Sequence, residues 1–481
     1  MTAGWVQPPA LATTVVNSGT SSGGVTAVVD VKGNATVINS GTASGGVNVV
    51  TTNGSATLTD FFGSRVSGTI GFSGTTGNAV NFLGGGNWIF TFTAPLPVGT
   101  TINTGGAPFV VAGNQVAVLD ATTFALADRS LMNFTSGISQ TLQDRFAGMT
   151  AGAPASGALS FADSSSSTVA DQAQAAFSSI PFVAMSYASS GAHPIVGKTL
   201  SPSAAPVYDT TVWASGFGGE RHQRADGLVL PTTDSAVGGV MGVDRIVNSN
   251  LRVGVFVGVG TGREEVELGV QTIDATYVFG GGYGRFDWAN QYLDFALYGG
   301  GIDNKSTRQV ANNLAPNGLE MATASYGGWF ISPEITYGYR IPVNAFTVTP
   351  RVRLRYVGGE LDGYSESGSA QNLSVAGRAI NDIEERGELE LSMVNGPMKA
   401  TWDIGVIGLE RLGNPTINTV LLGQNLAFVT PGQSSAVGGV LGMRLEYRLS
   451  ANAGLFLAGE GTLMSDKSDS FAATGGAKVS F

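Results

Sequence analysis

From about residue 207 to the last residue, apolar and polar positions alternate. Leu441, Met443, Leu445, Tyr447 and Leu449 share one phase, and Gly442, Arg444, Glu446 and Arg448 share the other. Successive side chains of a strand point to opposite faces, so each such run carries one apolar and one polar surface. The pattern predicts strands over 207–219, 234–247, 250–262, 268–287, 290–305, 320–341, 345–358, 378–394, 399–411, 435–449, 452–464 and 470–481, about twelve in all. A soluble sandwich would bury the apolar face and solvate the other. Here many second faces carry charge and the final residue is aromatic, which predicts an all-β chain ending in a transmembrane antiparallel β-barrel, apolar toward lipid and polar toward a lumen. Arg252, Asp294, Arg351, Arg353, Arg355, Glu388, Glu390, Arg444, Glu446 and Arg448 are expected to face that lumen. The Arg row of 345–358 would lie beside the Glu row of 378–394, where opposite charges can pair. No run approaches the roughly 18–20 apolar residues of a spanning helix. Lipid could therefore be crossed only by a closed barrel.

Upstream, the period changes twice. Val15-Val-Asn-Ser-Gly-Thr-Ser-Ser-Gly-Gly-Val25 recurs 22 residues later as Val37-Ile-Asn-Ser-Gly-Thr-Ala-Ser-Gly-Gly-Val47. Short β-branched runs between Asn/Ser/Gly turns at this period predict rungs of a short, right-handed parallel β-helix, four or five of them before Val118. The aromatic stretch from Phe61 to Phe92 is expected to be its irregular cap. Then Phe124, Ala127, Leu131, Phe134, Ile138, Leu142 and Phe146 recur at steps of three and four, the signature of an amphipathic helix. Asp120 or Thr122 should cap it and Gly148 should end it. Residues 151–168 are rich in Ala, Gly, Ser and Pro and read as a linker, with a weaker helix at 169–179. Three regions follow: a solenoid over 1–119, a helical and low-complexity linker over 120–206, and the barrel over 207–481.

Composition narrows the function. The net charge of −10 gives no basis for binding nucleic acid. There is no Cys, hence neither disulfide framework nor thiolate metal site. Gly19-Thr-Ser-Ser-Gly23 fits the nucleophile-elbow pattern, yet the next repeat replaces Ser21 by Ala43 and no strand-to-helix context follows, so it reads as a solenoid turn. His193 and His222 both fall in predicted loops and are expected to be solvated. Gly280-Gly-Gly-Tyr-Gly284 sits within a predicted strand, where glycines mark bends and close approaches rather than a phosphate loop. Asp382, Glu384, Glu385 and Glu388 read as solvated or lumen charges rather than an acid–base pair. No catalytic, metal or cofactor site is expected, and the chain is not read as an enzyme.

Val212-Trp-Ala-Ser-Gly-Phe-Gly-Gly219, then Gly238-Gly-Val-Met-Gly-Val-Asp244, the charged run Asp382–Glu388 and the terminal Gly475-Gly-Ala-Lys-Val-Ser-Phe481 together resemble the translocator domain of a bacterial autotransporter. Asp120–Phe146 resembles the segment preceding such barrels, and the repeats are similar to those of self-associating autotransporter adhesins. The resemblance implies an outer-membrane protein that displays or secretes a short β-helical passenger, for adhesion or self-association. Its implied partners are outer-membrane lipid, the barrel assembly machinery, and host or neighbouring-cell surfaces. Phe481, with Val479 and Phe471 in phase, would be the assembly signal. The alternative is a porin-like channel with a vestigial passenger; a hydrolytic passenger lacks its motifs. A twelve-stranded lumen needs a filler, expected to be the 124–146 helix or, second, that at 169–179, unless the first helix caps the solenoid outside. No Asn-Asn pair precedes the barrel, since Asn312-Asn313 falls in a barrel loop, so self-cleavage is not expected. Met1–Pro9 has neither a basic region nor a continuous apolar run, so the export signal is expected upstream.

Overall fold

The computed structural model describes residues 12–29, 33–148, 209–413 and 416–481; the linker at 151–168, the helix expected at 169–179 and His193 lie outside them. Twelve long strands form the membrane-spanning part: β1 (Thr210–Gln223), β2 (Thr232–Ile246), β3 (Leu251–Val266), β4 (Gln271–Trp288), β5 (Gln291–Asn312), β6 (Leu319–Tyr339), β7 (Phe346–Leu361), β8 (Arg378–Asn395), β9 (Met398–Arg411), β10 (Ser435–Arg448), β11 (Ala453–Met464) and β12 (Ser468–Ser480). Each pairs antiparallel with its sequence neighbours, and β1 pairs with β12, Val212 opposite Val479. The sheet is thus closed, and no spanning strand leaves its backbone groups unpaired in lipid. Alternation sorts the faces: in β10, Leu441 is 66% exposed and Arg444 is 5% exposed.

The amphipathic segment forms α1 (Thr122–Ala147), which runs down the lumen. The expected Asp120 or Thr122 cap is replaced. Ala121 holds the N-cap position without a side-chain bond, while the Asp120 carboxylate accepts the N–H groups of Thr122 (3.0 Å) and Gly86 (3.2 Å). A residue one place earlier in the chain thereby ties the helix start to the solenoid. Gly148 is the C-cap. Midway, Gly137 meets the Phe217 ring so closely that a Cβ would overlap it. Glycine's low helix propensity is accepted here for a close approach of helix to wall.

The N-terminal region is a parallel β-solenoid. Thr13–Asn17, Ala35–Asn39, Ala56–Phe61, Ala79–Leu83 and Thr101–Asn103 stack along one face. Val25–Val29, Val47–Thr51 and Ile70–Ser73 stack along another. The register repeats the sequence period, with Val15 beside Val37 and Val37 beside Leu58. Inward Val37, Val47, Leu58, Ile70 and Val80 are fully buried by their stacked neighbours. Regular rungs thus continue through Leu83, where the sequence predicts a cap: Phe72 takes the core position of Val49, and Phe82 stacks on Asp60. The cap comes later, as an antiparallel sheet of Trp88–Thr91, Gln115–Val118 and Phe109–Ala112.

One polar ladder crosses this apolar interior. Asn17 Nδ2 donates to Asn39 Oδ1 (2.8 Å), and Asn39 Nδ2 donates to Asp60 Oδ1 (2.8 Å). Burial raises the Asp60 carboxyl from 3.8 to about 6, against the lowering effect of the hydrogen bond from Asn39. A carboxyl whose folded-state pKa exceeds its unfolded value binds its proton more tightly when folded, so acid stabilises it. The solenoid should therefore gain stability as pH falls through about 6 and stop gaining near 3.8. Asp60→Asn should raise stability at pH 7 by up to about 3 kcal/mol and flatten that dependence. Thermal melts followed by proteolysis of the N-terminal region check this; identical melting of parent and variant at pH 7 refutes it.

Candidate functional site

The lumen has an aromatic half and an ionic half, and α1 faces each with matching chemistry. Phe134, Ile138, Leu142 and Phe146 pack on Trp213, Phe217, Tyr277, Phe279 and Tyr283 from β1 and β4. Phe134 stacks on Tyr277 with centroids 3.7 Å apart and meets Phe217 and Phe279 edge-on. Such ring pairs add to what area burial alone provides. The clefts left beside the helix include volumes of about 70 and about 40 Å³, room for a few waters each. Toward the start of the helix a wider cleft of about 430 Å³ is lined by Phe124, Ala127, Asp128 and Arg411.

The ionic half carries most of the charged residues expected in the lumen. Arg351 reaches Glu388 (2.7 Å), Glu390 (3.0 Å) and Asp403 (3.0 Å). Arg353 lies 3.6 Å from Glu388 and donates to Ser139 of α1, and Arg355 binds Glu384 (2.5 Å) and Thr135. Asp294 is held by Arg285 through both oxygens, Arg252 reaches Asp244 (2.9 Å), and Glu446 pairs with Lys478 (3.2 Å). Arg448 differs. It ends β10 and is exposed, because the strand stops where the barrel meets water. Phe471, Val479 and Phe481 are exposed on the outer side, and the Phe481 backbone pairs with Thr210.

The helix's own charges complete the wall, and the sequence reading missed them. Asp128 binds Arg411 (2.7 Å), Asp144 binds Arg444 (2.6 Å) and Thr474, and Arg145 binds Asp244 (2.6 Å). Asn133 donates to Asp234, Ser130 to Glu264 and Gln143 to Glu334. The available signal was the pair of charged doublets Asp128-Arg129 and Asp144-Arg145 near the two ends of an otherwise apolar and neutral helix. The expected carboxylate set also resolves: Asp382, Glu384 and Glu388 point inward and are buried, whereas Glu385 is exposed.

At the mouth, the barrel rim holds the solenoid cap. Strand Trp88–Thr91 pairs parallel with the end of β5, Trp88 opposite Ala311 and Ile89 opposite Asn312. Asn313, fully buried, donates through Nδ2 to Gly68 O (2.9 Å) and Thr91 O (3.0 Å) and accepts the Thr91 N–H (2.8 Å). Gln371 donates to Trp88 O (2.6 Å) and Val118 O (3.1 Å). Arg308 fixes Gln371 by two bonds and is itself fixed by Glu366. Beside them, Val110, Ala117 and Leu119 bury against Leu373, Val375, Ile417 and Leu421 of the rim loops. These loops form a four-stranded sheet of their own (Tyr364–Ser365, Ser374–Val375, Thr416–Leu421, Gln424–Val429), which the sequence did not predict.

The other motifs fall in structural roles. Ser21 donates to Gly24 O within a solenoid turn, and the Gly280–Gly284 run lies inside β4. His222, expected in a loop, is an exposed residue of β1, which extends past the predicted end, and contacts Glu220. Among the described residues, no group of three or more His, Cys, Asp or Glu is placed to hold a metal ion.

A profile of the Autotransporter beta-domain family matches residues 212–460, just over half the chain. Outer membrane protein B of Rickettsia japonica is 25% identical over 178 residues, 35% of this chain and 10% of that protein. Its counterpart from Rickettsia rickettsii is 24% identical over 177 residues, with the same shares. The chain thus spans about a tenth of the length of these relatives. Among solved structures, the translocator domain of the autotransporter NalP from Neisseria meningitidis is similar over 57% of this chain and 90% of that one, with a TM-score of 0.48 and 15% identity. The transport unit of the autotransporter AIDA-I from Escherichia coli gives 56% and 90%, a TM-score of 0.43 and 14% identity.

The sorting of faces predicts opposite outcomes at adjacent positions. Leu354→Arg puts a charge in lipid at roughly 2–4 kcal/mol and should sharply reduce heat-modifiable barrel in outer membranes. Arg353→Leu should assemble, because Glu388 keeps Arg351. Arg411→Ala leaves Asp128 buried without its ion-pair partner and should destabilise by about 3–5 kcal/mol, read as a lower temperature for loss of the compact gel form. Equal tolerance at 353 and 354 would reverse the register.

Proposed function

We propose a function from one premise: the chain belongs to the autotransporter β-domain family, and its barrel resides in the bacterial outer membrane with the solenoid at the surface. The barrel brings the solenoid to the cell exterior and holds it there, α1 being the last exported segment, left in the pore. One observation carries this reading. The covalent path leads from the solenoid through α1 along the lumen and ends, at Ala147, by the barrel end where β1 begins, Arg145 lying beside Asp244 of β2. Rungs release free energy by stacking only once they have emerged, which biases transit outward without ATP.

The displayed solenoid acts in adhesion or self-association and catalyses nothing. Thr36, Asn48, Thr57 and Asn81 repeat along its half-exposed outer faces, a surface suited to multivalent hydrogen bonding with a host or neighbouring cell. The terminal Phe481 is read by the barrel assembly machinery; removing it should sharply lower the amount of assembled barrel, and unchanged assembly would end that assignment. A freely conducting porin-like channel is disfavoured by the occupied lumen.

Single cysteines in this Cys-free chain test the reading on whole cells. Cysteines replacing Ser130 and Ser139 should resist a membrane-impermeant maleimide, whereas one replacing Thr36 should label rapidly. Rapid labelling at both helix positions, or none at position 36, would contradict it. Cells displaying the chain should also clump faster than cells carrying the barrel with the outward Thr and Asn replaced by Lys.

A further inference from the structure

We infer that the barrel rim is a latch, which keeps the solenoid and α1 on the barrel as a separately held piece even when the chain between residues 149 and 208 is cut. The inference rests on the display reading only for where the latch faces.

Three observations carry it. First, the gripping side chains are withdrawn from water: Arg308, Asn313 and Gln371 are each 0% exposed. Water cannot replace their bonds to the cap one at a time, so release requires the whole contact to open. Second, the grip is built by the barrel's own residues. Arg308, paired to Glu366, fixes Gln371 through its side-chain and main-chain oxygens, leaving the amide N–H groups directed at Trp88 O and Val118 O. A receptor held in its binding geometry loses little freedom when the cap arrives. Third, the barrel supplies partners at the far end of α1. Arg285 donates to Phe146 O (2.5 Å) and Lys399 to Ala147 O (3.4 Å), which supplies partners to carbonyls that a helix end otherwise leaves open. The piece ending at Gly148 is therefore satisfied at the cap, along the helix and at its last turn.

To test this, a site-specific protease sequence is inserted between residues 156 and 157 of the full chain, and the detergent-purified protein is cut. The two pieces should co-elute on size exclusion, and Asn313→Ala combined with Gln371→Ala should speed their separation by about tenfold or more. Separation of the parent chain on cutting overturns the latch. Equal retention of parent and double variant assigns the hold to α1 and overturns the role of the rim. Should the double variant fail to assemble, hydrogen exchange on the uncut parent decides: the N–H groups of Gly68 and Thr91, which donate to Asn313, should exchange as slowly as those of β5, and rapid exchange refutes the proposal. The cut is read in detergent, so a failure of surface labelling on cells would count against display and leave this result standing.

Discussion

Closing a sheet of twelve strands satisfies every spanning backbone group but encloses more space than the wall's own side chains can fill, and the remainder of the structure answers that surplus. A barrel of about eight strands can pack its interior by itself; this one uses α1. Because the filler is a single helix against a wall of two chemistries, its faces must differ. Phe134, Ile138 and Leu142 meet rings, while Ser139, Gln143 and Asp144 meet Arg and Glu. The buried ion pairs contribute little net stability, since desolvation offsets their attraction. Their effect is asymmetric: withdrawing α1 would take from Arg411 and Arg444 their ion-pair partners and leave Asp244 paired with Arg252 alone. The helix is held mainly by what its departure would leave behind.

The barrel was legible because lipid and lumen impose opposite requirements on alternate residues, and the alternation survives in the sequence from β1 to β12. Element ends were less clear where a strand continued beyond the bilayer. His222 and Gln309 belong to strands that rise past the apolar band into the rim, and there the alternation loses its cause. The helix was legible for the same reason as the strands, by period alone. Its charged doublets were not assigned partners, because period says which face a residue occupies and nothing about what lies opposite.

The rim was opaque for a different reason. Asn313 and Gln371 come from separate segments and meet the cap across intervals of more than 200 residues, and Arg308, near Asn313 in the chain, acts on the cap only through Gln371. In the chain each looks like an ordinary polar residue near a loop, and only the assembled barrel gives it a role. The solenoid's later rungs were hidden by substitution: Phe72 stands where the rung before has Val49 and Phe82 where it has Asp60, so the repeat signature fades while the stacking persists.

The Asn17–Asn39–Asp60 ladder gives the solenoid a sense of direction. Both amide hydrogens of Asn17 are committed, one to Asn39 and one to Thr42 O. Every link donates in the same sense, Asn17 to Asn39 and Asn39 to Asp60, until the chain of bonds ends on the carboxylate. A stack of this kind has polarity, like a filament with distinct ends. That polarity needs no charge and no shape on the outer surface, since it is written into the orientation of three side chains inside.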